Sequence, residues 1–133
     1  MSEQDNDNTM TTPDETTSPE LIVASPEPEF SIRKSAPNPD IGPESQVYSV
    51  WCGDKVICAL AFQHGASGEH GVNGVSTEAV LAIVLDRLMT LQEGRFPALD
   101  NVIAIRAVKE ALYALQKRKR ERAERGVLGV SLP

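Results

Sequence analysis

No run of eighteen or more apolar residues occurs in the sequence, so no segment is read as spanning a membrane. The opening Met1-Ser2-Glu3-Gln4-Asp5 is acidic and lacks an apolar stretch, so no secretory signal is expected. Only two cysteines occur among 133 residues, too few for a disulfide framework, and a reducing, cytoplasmic setting follows as the expectation. Catalytic signatures are missing as well. No Gly-Lys-Ser/Thr follows a glycine loop, no G-x-G-x-x-G or G-x-S-x-G occurs, and no paired carboxylates flank a recognisable cleft. An enzyme is not supported, and no cofactor is expected.

What is present is divided unevenly. Residues 1–45 carry ten acids against Arg33 and Lys34, a balance of −8, together with seven of the nine prolines. Residues 46–133 carry nine acids against eleven bases, a balance of +2. Acidic, Pro/Ser/Thr-rich sequence with few large apolar residues does not bury enough surface to offset its ordering entropy. The expectation is a disordered acidic tail over 1–45, followed by one domain over 46–133. About 88 residues make a thin core, so self-association is expected on size alone.

The domain reads as α+β: a small antiparallel β-hairpin, a Gly-rich loop and an antiparallel two-helix hairpin. Gln46–Trp51 and Val56–Phe62 are rich in β-branched and aromatic residues, with Gly53-Asp54 as the turn. A regular register pairs Cys52 with Lys55, Trp51 with Val56 and Ser49 with Cys58. Cys52 and Cys58 then fall on opposite faces. Ser76 and Glu78 mark a helix start, Val80, Ile83, Val84, Leu88 and Leu91 recur at helical spacing with Leu81 and Leu85 widening the face, and Gly94 ends the run. In the second helix Asp100 is the expected cap, Val102, Ile105, Val108, Leu112 and Leu115 form the stripe, and Gly126 follows the C-terminus.

Three features bear on binding. From Phe62 to Gly74 glycines recur every third residue between a strand and a helix start, an arrangement that suits phosphate. Cys52, Cys58, His64 and His70 are spaced six apart, too widely for the usual structural zinc pairs, so no metal is expected. Residues 102–133 carry eight bases and three acids, which makes nucleic acid the alternative partner, although no aromatics are interleaved in the basic run 116–125.

The strings Phe62-Gln63-His64-Gly65, Gly71-Val72-Asn73-Gly74, Asp86-Arg87-Leu88 and Glu110 to Arg118 resemble a phage anti-defence sponge family. Its members counter the Thoeris and CBASS immune systems and share a helical-hairpin domain. The resemblance covers about residues 56–129, is closer to the Thoeris branch, and implies a non-catalytic binder in the host cytoplasm. The implied ligand is a cyclic ADP-ribose isomer or a cyclic di- or trinucleotide, held between protomers of a homo-oligomer such as a hexamer. The implied ligand-binding residues are Phe62, Gln63, Gly65, Asn73, Gly74, Arg87, Arg95, Arg118 and Arg122. Neither a membrane nor nucleic acid is an implied partner. This chain departs from the relatives' pattern at His64 and Ala66, at Ala98–Asn101, and at Leu128.

Overall fold

The computed structural model describes residues 20–126 together with Leu128 and Val130. Four strands form one antiparallel sheet in chain order: β1 (Leu21–Val23), β2 (Ser31–Lys34), β3 (Val47–Cys52) and β4 (Lys55–Ala61). A single-turn helix α1 (Ser67–His70) interrupts the glycine loop, and α2 (Thr77–Gln92) and α3 (Leu99–Glu124) make the helical hairpin. The fold is α+β, as expected, with two more strands than the hairpin read from sequence.

Those two strands correct the tail boundary. Residues 20–45 were expected within the disordered segment, yet β2 pairs with β3 from Ser31↔Trp51 to Lys34↔Tyr48, and β1 pairs with β2. The reason is that a strand added to an existing edge gains backbone hydrogen bonds, which composition does not reveal. The flanking prolines Pro26, Pro28, Pro37, Pro39 and Pro43 all fall between strands, where the missing N–H costs nothing. Side chains add to the pairing. The Arg33 guanidinium lies 3.9 Å from the centre of the Trp51 ring, and the indole N–H donates to Ser49 Oγ at 2.8 Å. Residues 1–19 lie outside the described residues.

The β3–β4 turn is at Gly53-Asp54, with Gly53 at φ +62°. Cys52↔Lys55 and Trp51↔Val56 pair as expected, but an irregularity at Ile57 then pairs Val50, not Ser49, with Cys58. A bulge of one residue reverses the facing of everything beyond it. Cys58 therefore shares a face with Cys52, contrary to the regular register, and both thiols are free and exposed. The same shift aligns Tyr48 with Leu60 on one face, and the Tyr48 and Phe62 rings meet edge to face at 5.5 Å.

In the helical hairpin Ser76 caps α2, accepting from Ala79 N at 3.0 Å. The seam against α3 uses Leu81, Leu85 and Leu88 with Ile105, Val108, Leu112 and Leu115, all half-buried. Ile83 (69% exposed), Val84 and Leu91, expected on the stripe, face outward instead. With apolar residues around most of the helix, periodicity alone does not say which side meets the partner. Asp100 lies inside the first turn of α3 and Ala98 is the N-cap. Its backbone is held by Gln92, which accepts from Ala98 N and donates to Ala98 O, both at 3.0 Å. At the other end Gly126, φ +75°, follows the C-cap Arg125 as expected.

Among the described elements, strands pack only on strands and the two long helices only on each other. No hydrophobic side chain is buried among the described residues. Arg33→Ala should cost about 0.5–1 kcal/mol in urea unfolding, the size of an exposed cation–π contact. Deleting residues 1–45 should lower the thermal midpoint more than deleting 1–19, because only the longer deletion uncovers the edge of β3. Equal midpoints for the two truncations would show that β1 and β2 add no stability.

Candidate functional site

The glycine loop is closed by two carboxamides. Asn73 Oδ1 accepts from His64 N at 2.8 Å and Asn73 Nδ2 donates to His64 O at 2.9 Å, so the side chain pairs with the backbone as a neighbouring strand would. Gln63 Nε2 donates to Gly65 O at 3.0 Å and Gly71 O at 2.8 Å, while Gln63 Oε1 accepts from Asn73 N at 3.0 Å. Asparagine and glutamine suit this role because one group offers both a donor and an acceptor. The His64 and Asn73 amides are therefore committed within the loop rather than open to a phosphate.

Two glycines are required by this closure. Val75 N donates to Ala61 O and Gln63 N donates to Val75 O, each at 2.8 Å, which binds the helix entry to the end of β4. Gly74 passes so close that a Cβ there would overlap the Phe62 backbone. Gly65, at φ +80°, sits where a Cβ would overlap the His70 ring. His64 is 5% exposed, and its Nε2 has no partner among the described residues.

Two clefts flank the closed loop. One, of about 450 Å³, is lined by Glu44, Ser45, Tyr48, Leu60, Phe62, Gln63 and Thr77. The other, of about 370 Å³, includes Ser35, Asn38, Gln46, His64 and Asn73. Phe62 and Asn73, expected to serve one ligand, thus line different clefts. Sequence reasoning missed Glu44 and Ser45, assigned to the tail, and also Tyr48 and Thr77. None of the four carried a signal in the sequence, because the bulge that puts Tyr48 opposite Leu60 and beside Phe62 is not legible there. Ser45 is 4% exposed, and its Oγ has no partner among the described residues.

The arginines are spread out. Arg87 is exposed midway along α2, and Arg95 is exposed in the interhelix loop. At 1.5 Å per residue, Arg95 lies roughly 25 Å from the start of α2 and so from the Phe62 cleft. Because the hairpin is antiparallel, Arg118 and Arg122 run one to two turns past the level of Thr77, on the glycine-loop end. They line a third groove with Glu121, Glu124 and Arg125, and Arg122 donates to Val130 O at 2.6 Å. A single chain brings Phe62, Gln63, Gly65, Asn73 and Gly74 together but not the four arginines.

With this geometry in view, the comparison with known proteins is decisive for residues 58–120, which match the family described as Acb2/Tad1, hairpin domain. The chain carries an Acb2/Tad1 hairpin domain. It is also 42% identical over 73 residues to Thoeris anti-defense 1 of Bacillus phage SBSphiJ7. That match takes in 55% of this chain and 51% of the relative, so the chain spans about half of the relative's length. The family segment contains β4 from Cys58, the closed loop, α2 and α3 as far as Arg120, and thus every expected site residue except Arg122.

Asn73→Ala should destabilise the protein by about 1–3 kcal/mol, because it leaves the His64 amide and carbonyl without their partner. Gly74→Ala should be at least as damaging, since the neighbour it meets is backbone and does not give way. Thermal denaturation of both variants tests this, and wild-type midpoints would show that the loop is not held by this closure.

Proposed function

We propose that this protein is a phage anti-defence protein that binds cyclic nucleotide immune signals and holds them without degrading them. The observation that carries the reading is the Acb2/Tad1 match over 58–120, supported by the identity to a relative named for Thoeris anti-defence. Cyclic ADP-ribose isomers are the leading ligand class, and cyclic di- and trinucleotides the second. The chemistry agrees. The Tyr48–Phe62 pair offers aromatic surface to a base, a contact worth about 1–3 kcal/mol in comparable stacked systems. Arginines at the end of α3 supply bidentate partners for phosphate. Sequestration needs slow release and no turnover, so it calls for no nucleophile or general base.

The protein acts as a homo-oligomer, with a hexamer as the expected form. Seventeen large hydrophobic residues are exposed and none is buried among the described ones, and outward-facing Ile83, Val84, Leu91 and Ile103 await cover. A second copy supplies that cover and brings arginines of one protomer to the Phe62 cleft of another, closing the gap a single chain leaves.

Isothermal titration with a cyclic ADP-ribose isomer, followed by recovery of the intact nucleotide after heat denaturation, tests the function. Phe62→Ala should weaken binding about 5- to 150-fold, and Lys119→Ala much less, because an exposed charge is screened. Degraded nucleotide would overturn sequestration. Loss of binding on Lys119→Ala with Phe62→Ala unaffected would move the site to the basic helix and favour the nucleic-acid alternative. Sedimentation at micromolar concentration should give a species larger than the 14.4 kDa monomer, and a clean monomer would remove the site between protomers.

A further inference from the structure

We propose that the acidic segment 1–19 lies along the basic end of α3 of its own chain and shields it from nucleic acid. The proposal stands apart from the ligand reading above, because it needs only the charges and the topology. Residues 116–125 carry six bases and two acids, a balance of +4, and residues 126–133 contain no Asp or Glu to offset it. Residues 1–19 carry Glu3, Asp5, Asp7, Asp14 and Glu15 with no lysine or arginine, a side-chain balance of −5. Nucleic acid binds a basic strip through its phosphates without reading sequence, and a tethered row of carboxylates competes for the same cations.

A basic helix end has an ordinary explanation, which is too small here. Cations near a C-terminus complement the helix macrodipole, but that amounts to only about half an elementary negative charge. Lys117 pairs with Glu121 at 3.2 Å, yet both side chains are more than half exposed and the pair is worth little. Arg120 lies 5.9 Å from the centre of the Tyr113 ring, a contact that leaves its charge in place. Arg118, Arg122 and Arg125 line a groove of about 460 Å³ with Glu121 and Glu124, and Val130 brings a neutral carbonyl to Arg122 there.

The sheet delivers the acidic segment to this place. Leu21 pairs with Lys34, Lys34 with Tyr48 and Tyr48 with Leu60, so the four residues form one row across the sheet. β1 therefore begins at the end of the sheet where β4 runs into the glycine loop, roughly 15 Å from β4 at the usual strand spacing. That is also the end of the helical hairpin that carries Arg118 and Arg122. A chain as long as 1–19 spans roughly 25 Å even as a relaxed coil, and charged chains extend further. Nearer the sheet, Arg33 is engaged by Glu20 at 3.6 Å and by the Trp51 ring, which leaves the end of α3 as the concentration of positive charge. Tethering sets an effective concentration of about millimolar, so individually weak charge pairs suffice.

Two measurements on the full-length protein test the proposal. Carbodiimide coupling joins carboxylates to amines in direct contact, and it is applied to isotope-labelled and unlabelled protein refolded together. Mass spectrometry should find acids of 1–19 joined to Lys117 or Lys119 within one isotopic species. Absence of these links overturns the proposal, and so do links between labelled and unlabelled chains, which make a second copy the source of the occupant. In the second measurement, Glu3→Gln, Asp5→Asn, Asp7→Asn, Asp14→Asn and Glu15→Gln together should tighten binding of a fluorescent oligothymidine. The gain should be about tenfold or more at low salt and should fade as salt rises. Adding Arg118→Ala, Lys119→Ala and Arg120→Ala should erase it. Equal affinity of wild type and the neutralised variant, including no binding by either, overturns the shielding. A gain that survives loss of the three bases also overturns it, because the acids then act somewhere other than the end of α3.

Discussion

Everything that joins the sheet to the helical hairpin passes through the loop from Phe62 to Val75, and that loop is held shut by Asn73 on the His64 backbone. Strands and long helices make no packing contact with each other, so no shared core enforces their connection. The enforcement is polar and local. Asn73 and Gln63 together make five hydrogen bonds to loop backbone, and Val75 adds a strand-like bridge to the end of β4. Gly74 allows the two backbones to approach, which any side chain would prevent. A small domain without a buried hydrophobic core depends on such directional bonds, because area burial supplies little of its stability.

This division of labour bears on function. The residues at the centre of the Phe-Gln-x-Gly and Gly-Val-Asn-Gly strings serve first to shape the loop, and their polar groups are largely engaged in doing so. On the proposed reading, the surfaces that would meet a ligand are the aromatic wall behind the loop and the basic end of α3. They differ in charge and in chemistry, as the two halves of a nucleotide differ. The exposed apolar faces of α2 and α3 give a physical reason for the proposed assembly, which would bring the two surfaces together.

The order along the chain also explains why Glu44 and Ser45 escape a family-level description. They precede the shared hairpin domain and belong to a connection that closes one side of a cleft whose other side is β4.

Much of this protein was legible in its residues. The Gly53-Asp54 turn, the Ser76 cap, Gly126 past the end of α3 and the α+β class follow from local conformational preference, which acts over a few residues and needs no tertiary context. The β1 and β2 strands did not, because Ser31–Lys34 is ordered by the hydrogen-bonding edge of β3 rather than by its own composition. The bulge at Ile57 was equally hidden, and it alone decides that Cys52 and Cys58 share a face. On α2, apolar residues on several sides left Leu81, Leu85 and Leu88 indistinguishable from Ile83 and Leu91 until α3 lay against them. The family resemblance also grouped Phe62 with Asn73 and four arginines, whereas in the folded chain Phe62 and Asn73 line different clefts and the arginines are spread over α2, the interhelix loop and the end of α3. Separation along a helix is set by its 1.5 Å rise, and which cleft a side chain lines is set by strand facing, so tertiary structure had to decide both.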